Sequence, residues 1–151
     1  MTPETVGRLS EIVAKWVRQN TNNRALGVVG SWARGNPRPD SDLDLLILAR
    51  NSDLYFADAS LLVKIGFDAA GYSLLSHAVV DYGARHSHKV GLSPDVAVEL
   101  IFAPINWASL DPIEAGSARI ARDGLGILVD KDRLFFGFLA ALGLRERSRE
   151  I

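Results

Sequence analysis

The chain has 151 residues, of which 48% are apolar and 23% charged. This is enough to bury a core without disulfides, and it excludes an intrinsically disordered chain. Seventeen basic and 18 acidic side chains leave a formal charge of −1, which argues against an extended nucleic-acid surface or an electrostatic membrane grip. There is no cysteine, so thiol nucleophiles and Cys-based zinc sites are excluded.

The opening stretch carries Glu4 and no continuous apolar run, unlike a signal peptide. The longest apolar run, 45–49, is far short of a membrane span. A cytoplasmic setting is the expectation, with residues 1–144 as one domain and 145–151 as a charged tail.

Thr2-Pro3 predicts a capped helix start. Val6, Leu9, Ile12, Val13, Trp16 and Val17 recur at helical spacing and form one stripe. Ala25–Val29 reads as a buried strand ending at Gly30. Residues 30–41 hold two Gly and two Pro, giving a short helical turn and then a loop. Asp42–Leu48 reads as a second, central strand. Residues 53–65 fit a helix.

Three β-type runs follow, at 77–83, 85–92 and 95–102, predicting an antiparallel meander. Pro104 and Pro112 bracket a loop that contains Trp107. Ala118–Ala121 and Gly126–Val129 read as short strands around an Asp123-Gly124 turn. A helix over 131–143 carries Leu134, Phe135, Phe138, Leu139 and Leu142.

The chemistry concentrates in GSWARGNPRPDSDLDLLIL. Gly30 and Ser31 at a strand end present backbone N–H groups and a hydroxyl, an anion cradle. Arg34 either adds positive charge or pins the loop. Asp42 and Asp44 are two apart on a strand, so they share a face at about 7 Å between Cα atoms. Two carboxylates on one face repel unless a cation lies between them, and hard oxygen ligands select Mg²⁺. Glu99, in the middle of an apolar strand, is the best third carboxylate, with Asp95 as the fallback.

Gly30-Ser31, ten residues, then Asp42-Leu-Asp44 resembles the signature of the DNA polymerase β-like nucleotidyltransferase superfamily. GSWARG and SDLDLLIL look like its minimal and aminoglycoside adenylyltransferase-like branch. VELIFAPINWASLDPIEAGSARIARDGLGILVDKDRLF is similar to the closing part of that domain.

The resemblance implies an α+β nucleotidyltransferase fold: a mixed central sheet with an antiparallel meander and helices on one face. It implies an enzyme moving a nucleoside monophosphate, AMP from ATP, to an acceptor hydroxyl on a small molecule or protein. Asp42, Asp44 and Glu99 would hold Mg²⁺, Glu99 also serving to activate the hydroxyl. Gly30, Ser31 and Arg34 would hold the triphosphate. Glu99 stands where many relatives carry Asp. The drug-modifying relatives carry a large helical domain beyond this core, and the expectation is that their role does not carry over.

The rival reading is an antitoxin of the same fold that binds or modifies a helical toxin partner. A homodimer is compatible with either.

The remaining candidates have plainer readings. His86 and His88 share a face, expected at a solvent-facing edge, and His77 is expected at a strand end. Trp32 and Trp107 are expected to pack, and Arg38 and Lys131 to be solvated.

Overall fold

The computed structural model describes residues 1–145. The expected charged tail, apart from Arg145, lies outside the described residues. Among those described, no helix is long and apolar enough to cross a membrane.

Helix α1 spans Pro3–Gln19, and the Thr2 hydroxyl accepts a hydrogen bond from the Thr5 N–H at 3.2 Å. This satisfies one of the free donors of the first turn. Its stripe of Val6, Leu9, Val13, Trp16 and Val17 is buried as the spacing predicts.

Among the described residues, six strands form one sheet in the order β3-β4-β5-β2-β1-β6. They are β1 Asn23–Val29, β2 Leu43–Ala49, β3 Leu74–Asp81, β4 His86–Leu92, β5 Val96–Pro104 and β6 Gly126–Asp130. Only β2 and β5 are parallel; the other pairs are antiparallel, including the expected β3-β4-β5 meander.

Side chains on β2 alternate between two cores. Leu43, Leu45 and Ile47 join α1 and Phe102 on one face, whereas Leu46 and Leu48 join Trp107, Phe135 and Phe138 on the other. Both faces of this strand are apolar, and each fully buried Leu or Ile contributes about 1.5–3 kcal/mol. Helices are therefore needed on both sides, not on one. The second face carries α4 (Ala115–Asp123) and α5 (Leu134–Ala141).

Two sequence expectations are corrected. The helix expected over 53–65 is a 3-10 turn at Ser52–Tyr55 and a short α3 at Leu61–Ile65. Asp58 interrupts it: its carboxylate accepts hydrogen bonds from the Ser60 N–H and hydroxyl at 3.0 and 2.7 Å. Such local bonds compete with the helical ladder. The strand expected at Ala118–Ala121 is part of α4. Glu114 caps that helix, its carboxylate accepting from the N–H groups of Gly116 and Ser117 at 2.9 and 2.7 Å. The apolar period over 118–121 is too short to separate strand from helix, and the cap decides.

The histidines are also corrected. His86 and His88 are buried, not solvent-facing. His88 Nδ1 lies 2.8 Å from His77 Nε2, and its Nε2 lies 2.9 Å from the Tyr55 carbonyl. His77 stands within β3 rather than at its end. Lys131 is not simply solvated: its ammonium donates to the carbonyls of Val17 and Asn20, both at 2.9 Å, closing the C-terminal end of α1.

Candidate active site

The site begins where β1 ends. Val29 is extended, and Gly30 turns to φ +74° to start the five-residue α2, Gly30–Arg34. A left-handed residue at this junction favours glycine. Gly35, at φ +78°, closes the turn, its N–H donating to the Ser31 carbonyl. Trp32 leans back on the first core, as expected of a packing residue. In the loop that follows, the Ser41 hydroxyl accepts from the Arg38 N–H at 2.7 Å, and the Pro39 carbonyl accepts from the chain's amino terminus at 3.2 Å.

Strand register then assembles the acids. Val29 pairs with Asp44 across β1–β2, Asp44 with Glu99 across β2–β5, and Glu99 with Lys89 across β5–β4. Paired residues on neighbouring strands share a face. Asp44 and Glu99 thus project together on the side that carries α4 and α5, and Lys89 follows in the same row.

Asp44 is half-buried, and its pKa is pushed up to about 7. Burial is the main cause, followed by the charges of Glu99 and Asp42, while Arg34 pulls the other way. Glu99 is close enough to share a hydrogen bond with Asp44. Repulsion between like charges disfavours having both ionised, so a bound cation or a shared proton would relieve the pair.

Asp42 is placed differently from expectation. It is exposed and precedes β2, at the mouth of the loop. Asp95 is exposed in the turn before β5. Among the described residues no three His, Asp or Glu side chains are gathered tightly enough to enclose an ion. The donor chemistry nonetheless suits one: Asp44 and Glu99 offer hard oxygens side by side, with Asp42 next to them in charge reach.

Arg34 forms an ion pair with Asp123 at the end of α4, Nη1 to Oδ2 at 2.8 Å. Beside it lies an open depression of about 490 Å³ lined by Ala115, Arg119, Arg122 and Asp123. Lys89 and Asp123 escape a reading of the sequence. Each is an ordinary surface residue until strand register or helix packing brings it beside Glu99 or Arg34.

The nucleotidyltransferase domain family model matches residues 9–110. The chain belongs to this family. The match takes in Gly30, Ser31, Asp42, Asp44 and Glu99, while α4, β6 and α5 follow it.

No curated protein sequence matches this nucleotidyltransferase domain. Solved structures similar to it include the GLD-2/RNP-8 complex, with 18% identity, a TM-score of 0.42, and coverage of 82% of this chain and 49% of that one. The non-canonical poly(A) polymerase complex GLD-2–GLD-3 gives 18% identity and a TM-score of 0.45, covering 82% and 41%. A cytoplasmic RNA terminal U-transferase gives 17% and 0.41, covering 77% and 32%. The domain spans less than half the length of each of these chains.

Proposed function

We propose that this domain transfers a nucleoside monophosphate, AMP from ATP, to an acceptor hydroxyl. The observation that carries the reading is the pairing of Asp44 with Glu99 beside the Gly30–Ser31 turn. In this reading Asp42, Asp44 and Glu99 hold Mg²⁺, which when bound screens the charge of the triphosphate and lowers the cost of bringing an oxygen nucleophile to phosphorus.

The protein groups do the rest. The Gly30 backbone and the Ser31 hydroxyl hold the β- and γ-phosphates, and Arg34 adds charge from the end of α2. The acceptor oxygen bonds to the α-phosphorus as the α–β bridge breaks. The hydroxyl proton passes to the Glu99 carboxylate, and pyrophosphate leaves. Lys89, one strand beyond Glu99 in the same row, offers a counter-charge beside that carboxylate. Positioning and charge stabilisation supply most of the acceleration.

The test is the melting temperature with each of the four nucleoside triphosphates, with and without Mg²⁺. Ligand at about 100 times its Kd stabilises the folded state by about 2.7 kcal/mol. The expected result is a rise that needs metal and triphosphate together and is greatest with ATP. A flat response across the panel would overturn the reading.

A further inference from the structure

Strand β3 is an edge of the sheet, and its eight residues are exposed almost throughout. Its sequence, LLSHAVVD, has no Lys, Arg or Pro and a single acid at its end. Edge strands normally carry such residues, or a covering element, to block pairing with other chains.

We propose that β3 pairs antiparallel with β3 of a second copy of this chain, across a two-fold axis at Val79. Two six-stranded sheets would then become one continuous sheet.

The backbone is ready for it. The Tyr82 N–H donates to the Arg85 carbonyl at 2.9 Å, which fixes the hairpin register. By the alternation of an antiparallel ladder, Ser76, Ala78 and Val80 turn their backbone groups toward β4. His77, Val79 and Asp81 turn theirs outward. A two-fold at Val79 sets Val79 against its own copy and His77 against the second copy's Asp81. Each copy thereby meets the strand's only acid with its only basic side chain.

The surface flanking this edge is apolar. Leu74 is 55% exposed, Val79 41% and Tyr82 48%. Val63 borders the same cavity as Leu74, and Phe56 the same cavity as Asp81, so the patch continues across the neighbouring turns. Exposed apolar side chains along an unpaired strand edge give a second copy both a backbone ladder and a surface to bury. Val79 and His77 lie on the face opposite Asp44 and Glu99, so both carboxylate sites stay open. The inference stands independently of nucleotide transfer.

Sedimentation at micromolar concentration tests it. The wild-type chain should sediment at twice its 16.4 kDa mass. Val79→Pro removes the outward amide and no β4 hydrogen bond, and Val79→Lys places a charge on the axis; each should give a folded monomer. Because the chain has no cysteine, Val79→Cys adds the only thiol. Its Cα would lie about 5.5 Å from its mate, within disulfide reach, and it should cross-link far faster than Lys15→Cys, at an exposed position of α1. A wild-type monomer would overturn the proposal, including one that takes up a strand from a different protein. So would a dimer that survives both other Val79 substitutions, or cross-linking no faster than that of Lys15→Cys.

Discussion

The Oδ2 atom of Asp44 sits too close to Gly30 to leave room for the Cβ of any other residue there. The turn and the acid are therefore one unit: the backbone bends left-handed at Gly30, and the carboxylate moves into the space left. Gly30→Ala is expected to destabilise the domain by about 1–3 kcal/mol from backbone strain alone, and to displace Asp44. Denaturant unfolding measures the first effect. Loss of Mg²⁺-dependent triphosphate binding in the folded variant measures the second.

Asp44→Asn separates charge from shape. Without divalent cations at about pH 8, the variant should melt no lower than wild type, because a half-buried charge beside Glu99 is gone. Adding Mg²⁺ should raise the melting temperature of wild type and leave the variant unmoved. Equal responses would show that the cation binds elsewhere.

Arg34 has two claims on it, the Asp123 carboxylate and the proposed triphosphate. The pair is largely exposed at 37% and 59%, so losing it costs under about 1 kcal/mol of stability. Asp123→Asn should release the guanidinium and tighten triphosphate binding several-fold, whereas Arg34→Gln should weaken it. Titration calorimetry reads both, and unchanged affinities would leave Arg34 as a tether between α2 and α4.

His88 gives the domain an acid-sensitive core. Burial, then the neighbouring His86 and His77, pull its pKa down to about 4; in the unfolded chain it returns to about 6.5. Between those values the unfolded state binds a proton that the folded state refuses. Stability from this residue is thus complete above about pH 6.5 and falls as the pH drops toward 4. His88→Gln should flatten that slope, as read from denaturant midpoints at about pH 5 and about pH 8.

Much of the candidate site is legible in the sequence because it is local. Gly30, Ser31, Asp42 and Asp44 sit within fifteen residues, and the strand-turn-strand between them is written in Gly, Pro and apolar runs. Glu99 is legible for another reason: a carboxylate amid Val98 and Leu100 needs a partner. What escapes notice depends on distant pairing. Nothing near Lys89 says that it will border Glu99, and nothing near Arg34 names Asp123. The burial of His86 and His88 likewise follows from the Ser52–Tyr55 turn folding over β4, through a carbonyl of Tyr55 far off in the chain.

The family-matched stretch ends at residue 110, yet β6 hydrogen-bonds to the far side of β1. A version of the domain cut back to that stretch would leave the strand leading into Gly30 as an unprotected border, with Trp107 stripped of Phe135 and Phe138. The part of the chain after residue 110 thus acts as a buttress. It holds in place the strand that leads into the left-handed turn at Gly30.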